Sequence, residues 1–162
     1  MKKTFLLAAL FIGMMLFASG YADSRHQRTC VGMSAPALAL PTADSILTLD
    51  RLQGEFVLIT FWSATDAPSR EAANLYTAWS RRHPDAHLKV VGVNFDDSRG
   101  LFNEIVRLDS LVAANQYYAE GDTARVIADN YGLSGGFGSV LISPEGKIVA
   151  FNPPAAELGR YL

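Results

Sequence analysis

Residues 56–70, FVLITFWSATDAPSR, contain the pattern that decides the fold of this chain. The stretch 56–62 is apolar apart from one threonine, and it is rich in β-branched and aromatic side chains. Such a run is typical of a strand that is buried on both faces of a sheet. The apolar residues that follow recur at helical spacing and predict a helix over 67–82. The residues between strand and helix should therefore lie at the carboxyl edge of a central strand, where open α/β sheets bind ligands.

The rest of the chain predicts further strands and helices on either side of this unit. Alternating or continuous apolar runs predict strands, at 38–40, 46–48, 88–95, 115–118, 138–143 and 147–151. Helical spacing and end signals predict helices, at 99–108, 122–131 and, in truncated form, 157–162. Gly132 suits the end of the second of these helices. The sequence therefore predicts an α/β protein in which strands and helices alternate before a final hairpin.

The junction after the central strand resembles the active-site junction of the thioredoxin superfamily, which reads roughly Phe-Trp-Ala-x-Trp-Cys-x-Pro-Cys-Arg. Four residues match this pattern in register: Phe61, Trp62, Pro68 and Arg70. Asp66 stands at the position of the first cysteine and Ser69 at the position of the second. The chain is thus similar to a thioredoxin whose redox motif is degenerate.

Two further segments extend the resemblance. Residues 32–41 resemble the Gly-x-x-Ala-Pro-x-Phe-x-Leu opening of the periplasmic thiol–disulfide oxidoreductases and of the alkyl hydroperoxide reductase-like peroxiredoxins. Residues 138–151 resemble the family's last hairpin, Pro-Thr-x-Phe-Leu-Ile-Asp-x-x-Gly-Lys-Ile. The resemblance implies a thioredoxin-like α/β domain over 32–162, with a central mixed β-sheet flanked by helices and an N-terminal β extension.

The replaced cysteines decide which chemistry the resemblance implies. In the family, one thiolate at a helix N-terminus attacks a disulfide and a second thiol resolves the product. Asp66 is a poor nucleophile towards sulfur, and Ser69 cannot form a disulfide. Asp66 is instead interpreted as the N-cap of the following helix. An alternative is a cation site with Asp96 and Asp97, which follow the neighbouring strand, but no metal or cofactor is predicted.

The loop 133–139 holds Phe137 at the position where the family has a cis-proline. A cis bond before a residue other than proline costs about 2.5–4 kcal/mol, so a trans bond is expected. We expect Phe137 to pack on Trp62 and to fill the family's substrate groove; the alternative is that both rings form an exposed binding surface. The candidate binding residues are Trp62, Asp66, Pro68, Phe137 and Gly138.

The N-terminal residues predict export. Lys2 and Lys3 precede a short apolar run, and Ala22 suits cleavage of a signal peptide over 1–22. Residues 23–31 are predicted to form a flexible segment. Cleavage would leave no integral membrane segment, whereas the alternative is an uncleaved anchor. The expected location is the periplasm or cell envelope.

Net charge and cysteine content limit which functions are candidates for this chain. The net charge of −2 does not indicate a nucleic-acid partner. Cys30 is the single cysteine, so it either remains a thiol or pairs with another molecule. The favoured function is an exported, non-catalytic domain that binds a peptide or protein. The alternatives are a thiol–disulfide oxidoreductase with residual activity through Cys30 and an accessory domain of an envelope assembly.

Overall fold

The computed structural model describes residues 29–42 and 44–162. The predicted signal peptide over 1–22 lies outside these residues. Residues 23–28 of the predicted flexible segment lie outside them as well. The strands are β1 (Ala39–Pro41), β2 (Ile46–Thr48), β3 (Phe56–Trp62), β4 (Leu88–Asn94), β5 (Gln116–Tyr118), β6 (Ser139–Ile142) and β7 (Ile148–Phe151). The α-helices are α1 (Ala67–Arg82), α2 (Arg99–Leu108) and α3 (Gly121–Tyr131). Within the described residues, no helix combines the length and the hydrophobicity that crossing a membrane requires.

The central sheet has the strand order β5-β4-β3-β6-β7. β3 pairs in parallel with β4, and β4 pairs in parallel with β5. β6 runs antiparallel to β3, and β7 runs antiparallel to β6. The predicted mixed sheet is therefore confirmed, and β3 lies at its centre. The separate antiparallel pair β1–β2 forms the predicted N-terminal β extension.

Successive residues of β3 point to opposite faces of the sheet, and each face carries its own core. Phe61 belongs to the face covered by α3 and by β1, together with Tyr131 and Leu40. Leu58 and Trp62 belong to the opposite face, which is covered by α1 and α2. Because both faces are covered, β3 is almost wholly apolar, as its sequence predicts.

The C-terminal segment differs from the predicted helix over 157–162. Residues Ala155–Arg160 form a 3-10 helix that begins after Pro154. The amide of Glu157 donates to the carbonyl of Pro154, and the amide of Tyr161 donates to that of Leu158. These bonds span three residues rather than four, which is usual in short helical pieces. The fully buried Leu158 anchors the segment against the core beside Trp79.

Candidate functional site

The first turn of α1 carries the two residues that the sequence resemblance aligns with the cysteine positions. Asp66 is the N-cap of α1, and its Oδ2 accepts a hydrogen bond from the amide of Ser69 at 3.0 Å. The Ser69 hydroxyl donates to the carbonyl of Asp66 at 3.0 Å and accepts from the amide of Ser63 at 3.3 Å. Pro68 lies in the first turn, where its missing N–H needs no partner. The capping interpretation of Asp66 is therefore confirmed.

A buried carboxylate just after the neighbouring strand β4 fixes the loop before this cap. The side chain of Asp96 accepts hydrogen bonds from the Ser63 hydroxyl at 2.7 Å and from the amide of Ala64 at 2.8 Å. It also accepts from Nδ2 of Asn94 at 2.7 Å. Asp96 is only 6% exposed, so these neutral donors replace the water that the carboxylate has lost. The position of Asp96 after β4 predicts this edge of the sheet, whereas its role as the anchor of the loop follows only from the packed structure.

The three carboxylates at this edge do not converge on one point. Asp96 is directed into the loop, Asp66 into the first turn of α1, and Asp97 is exposed. Across residues 29–42 and 44–162, no group of three His, Cys, Asp or Glu side chains is arranged to hold a metal ion. Ser98, which follows Asp97, is the N-cap of α2 and accepts a hydrogen bond from the amide of Leu101.

An ion pair fixes the outer side of α1. Nε and Nη2 of Arg70 each donate to one carboxylate oxygen of Asp109 at 2.6 Å. Nδ2 of Asn74 donates to Asp109 at 3.1 Å. The hydrogen bond from Arg70 holds the pKa of Asp109 below its usual range, and the same bond raises the pKa of Arg70. Arg70 was recognised as part of the family pattern, whereas its partner lies too far along the chain for sequence spacing to reveal.

Trp62 and Phe137 do not meet. Trp62 is fully buried, and its indole N–H donates to Oε1 of Gln116 at 3.1 Å. The ring of Phe137 lies 5.5 Å from that of Phe95, on the face of the sheet that holds Phe61. The expectation that Phe137 packs on Trp62 is wrong, and so is the alternative of two exposed rings. The reason is the alternation of β3, which places Phe61 and Trp62 on opposite faces.

The loop around Phe137 is fixed mainly through its backbone. The described residues contain no cis peptide bond, so the predicted trans bond before Phe137 is confirmed. The carbonyl of Gly138 accepts from the amide of Phe61 at 2.9 Å. The amide of Ser139 donates to Oδ1 of Asn152 at 2.6 Å. A Cβ at Gly138 would lie 2.8 Å from that oxygen, so a larger residue here would displace the Asn152 side chain from its hydrogen bond.

A groove of about 580 Å³ runs beside the candidate site along the exposed side of α1. We call it the α1 groove, and its lining includes Ala64, Ala67, Arg70, Glu71, Leu75 and Ala78. A smaller cavity of about 260 Å³ lies between the loop 132–138 and Asn152. Of the predicted binding residues, Asp66, Pro68, Phe137 and Gly138 thus lie at the carboxyl edge of β3, and Trp62 lies beneath it.

Cys30 lies near the opposite end of the sheet, where β3 begins. Its segment is held by the amide of Gly32, which donates to the carbonyl of Ile148 at 2.8 Å. Ile148 pairs with Ile142, and Ile142 pairs with Val57 near the start of β3. Asp66 and Ser69 follow the end of that strand, so the stretch from Val57 to Trp62 separates them from this segment, about 17 Å at 3.3 Å per residue. The thiol and the candidate site are therefore separate.

Comparison with known proteins identifies the fold. No family model and no curated protein matches the chain. A solution structure of a thiol:disulfide interchange protein from Bacteroides sp. is similar, with a TM-score of 0.72 and 23% identity over 83% of this chain and 88% of that one. The thioredoxin domain of a thiol-disulfide oxidoreductase from Bacteroides vulgatus is also similar, with a TM-score of 0.71 and 23% identity over 81% of this chain and 94% of that one.

A thioredoxin-like protein from Parabacteroides distasonis has higher identity, 28%, with a TM-score of 0.61 over 66% of this chain and 79% of that one. Similarity at these identities establishes the fold. The chain therefore has a thioredoxin-like α/β fold, and it contains a single cysteine.

Proposed function

We propose that this protein is an exported, non-catalytic thioredoxin-like module that binds a peptide or protein at the carboxyl edge of β3. The observation that carries the proposal is the paired cap of Asp66 and Ser69. Each of these side chains is already hydrogen-bonded within the first turn of α1. Residues at the two cysteine positions therefore stabilise the junction instead of exchanging disulfides.

The groups that both steps of thiol–disulfide exchange require are absent from the β3–α1 junction. Attack on a disulfide needs a thiolate, and release of the mixed disulfide needs a second thiol. Asp66 and Ser69 supply neither, and the segment that carries Cys30 lies at the opposite edge of the sheet. The surface that remains consists of exposed Pro68 and Thr65 beside the α1 groove. A surface that is held by hydrogen bonds in this way needs little ordering when a partner binds, which lowers the entropic cost of association.

Two lines support export. The N-terminal sequence matches a signal peptide over 1–22. The solved structures with a similar fold include a protein described as a thiol:disulfide interchange protein, and disulfides persist mainly outside the cytosol. The mass of the mature protein, recovered from the cell envelope, should correspond to a start near Asp23.

A disulfide reduction assay separates binding from redox catalysis. The mature protein should not accelerate reduction of insulin by dithiothreitol above the uncatalysed rate. The matched control is Asp66→Cys with Ser69→Cys in a Cys30→Ser background, which places two thiols one helical turn apart. Oxidised glutathione should accept the two electrons of this pair and leave an internal disulfide. Catalysis by the wild type that is lost in Cys30→Ser alone would instead establish the redox alternative.

Site-specific photo-cross-linking tests the binding role directly. A benzophenone amino acid at the exposed Thr65 should form adducts with other envelope proteins in intact cells. The same probe at Glu145, in the exposed turn between β6 and β7, is the matched control and should form few. Equal labelling from both positions, or none from Thr65, would exclude a binding surface at this edge.

A further inference from the structure

A cavity of about 410 Å³ lies beside the edge strand β5, and it shares no lining residue with the α1 groove or with the cavity at the loop 132–138. We call it the β5 cavity. Its apolar wall is formed by residues of α2 and of the segment that leads into β5: Phe102, Val106, Leu111 and Ala113. Gln116 of β5 is one of its polar lining residues. A cavity of this size with an apolar wall and a few polar groups is typical of small-molecule sites.

Gln116 is a buried polar residue whose carboxamide is held in one orientation. Its side chain belongs to a residue that is only 8% exposed, and its Oε1 accepts a hydrogen bond from the indole N–H of Trp62 at 3.1 Å. Because an indole N–H can only donate, the other end of the carboxamide carries the two N–H groups. A Cβ at Gly92 would lie 2.0 Å from Oε1 and 2.7 Å from Nε2, so the carboxamide lies against the sheet at this glycine.

The two N–H groups on Nε2 of Gln116 have no acceptor among the described residues. Across residues 29–42 and 44–162, no fully buried side-chain nitrogen or oxygen lacks a hydrogen-bond partner. Nε2 is therefore open to the space that Gln116 lines, which is the β5 cavity. An amide in this position is satisfied by water or by an oxygen of a bound molecule, and the apolar wall favours a molecule whose remaining surface is apolar.

The charges around the β5 cavity leave one cation in excess. The charged residues of α2 and of the loop after it are matched in three ion pairs: Arg99–Glu120, Arg107–Glu104 and Arg70–Asp109. Nη2 of Arg81 donates to the carbonyl of Ser110, which lines the cavity. Arg81 makes no ion pair with any described residue. The cavity therefore favours an anionic ligand over a cationic one.

We propose that the β5 cavity binds a small carboxylate, whose apolar body lies against Phe102 and Val106 and whose oxygen accepts from Nε2 of Gln116. The carboxylate supplies the acceptor that the amide lacks and the negative charge that Arg81 lacks. Burial of the apolar body against the wall supplies the rest of the affinity. This inference goes beyond the proposed binding of a peptide or protein, because the site is separate from the carboxyl edge of β3.

Two probes with the same aromatic body and chain length test this inference in the mature protein. Phenylpropionate carries a carboxylate, whereas phenylpropylamine carries an ammonium group, which has no acceptor. An NMR titration follows the side-chain amide of Gln116 and the indole N–H of Trp62. Phenylpropionate should shift both resonances in a saturable way, with a Kd at least tenfold below that of phenylpropylamine. Equal affinities, or no saturable shift at these two side chains, would overturn the inference.

A substitution that fills the cavity locates the binding. Ala113→Phe should abolish binding of phenylpropionate because its ring occupies the cavity, and the exposure of Ala113 leaves the fold unaffected. Ala114→Phe is the matched control, since Ala114 is also exposed but does not line the cavity, and it should leave the affinity unchanged. Equal affinities of these two variants would overturn the inference.

A pair of arginine substitutions tests the charge. Arg81→Gln should weaken binding of phenylpropionate about threefold and reduce its salt dependence. Arg82→Gln is the control, because Arg82 donates to the carbonyl of Ala78 instead of to a residue of the cavity, and it should have less effect. Equal losses in the two variants would overturn the role of the excess charge. Loss of this site with adducts retained at Thr65 would overturn this inference alone, whereas disulfide reduction by the wild type would overturn the proposed function.

Discussion

The β3–α1 junction and the loop 133–138 both lie at the carboxyl edge of β3, but different forces fix them. The junction is held by side-chain hydrogen bonds from Asp66, Ser69 and the buried Asp96. The loop is held by backbone bonds, by Asn152 and by the packing of one aromatic ring, Phe137, on Phe95. The comparison shows that polar side chains stabilise the first region, whereas backbone hydrogen bonds, Asn152 and one packed ring together fix the second.

The largest effect should come from the buried anchor of the junction. Asp96→Ala removes the acceptor of three hydrogen bonds and leaves buried donors without a partner. We expect the free energy of unfolding to fall by about 3 kcal/mol, as measured by urea denaturation. Asp97→Ala, at the exposed neighbouring position, should change it by less than about 0.5 kcal/mol. Similar losses for the two variants would show that Asp96 does not anchor the loop.

The loop should respond to loss of its ring. Phe137→Ala removes the contact with Phe95 from a half-buried position, so we expect a loss of about 2 kcal/mol, below the range for a fully buried phenylalanine. Phe151→Ala is the control, since this ring is exposed, and it should cost less. If Phe137→Ala is neutral while hydrogen exchange of the loop amides is unchanged, ring packing does not shape this loop.

The helix cap should contribute less than either of these. Asp66→Ala removes the acceptor for the Ser69 amide and should lower the free energy of unfolding by about 1 kcal/mol. Asp66→Asn is the matched control because asparagine caps helices about as well, so it should retain most of the stability. A large loss in both variants would mean that the negative charge, and not the cap geometry, stabilises α1.

The smallest effect should be the pH dependence of the Arg70–Asp109 pair. The pKa of Asp109 is lowered in the folded protein, so its contribution is present above the unfolded pKa near 4 and is lost as pH falls through the folded pKa. Arg70 is one-third exposed, and we expect a coupling of only about 0.5 kcal/mol at neutral pH. A double-mutant cycle of Arg70→Gln and Asp109→Asn measures it. The coupling should shrink below pH 4; a constant value would show that the pair is not ionic.

Much of the fold follows from local patterns in the sequence. The apolar run of β3 and the helical spacing of α1 are both observed with the predicted bounds. The cap by Asp66 and the αL conformation of Gly132 were also predictable, because each depends on residues within one turn. The ends of β4, β6 and the final helix differ from prediction by one or two residues, since the terminal turns and pairs depend on neighbouring elements.

The sequence by itself determined that a central buried strand leads into a capped helix and that no thiol stands at either cysteine position of the pattern. The tertiary structure alone decided that Phe137 packs on Phe95 rather than on Trp62, that Asp96 turns into the loop, and that Asp109 binds Arg70. The physical reason is distance along the chain. Capping and periodicity act within a few residues, whereas these contacts depend on strand register and on which sheet face each loop covers, which only the packed molecule sets.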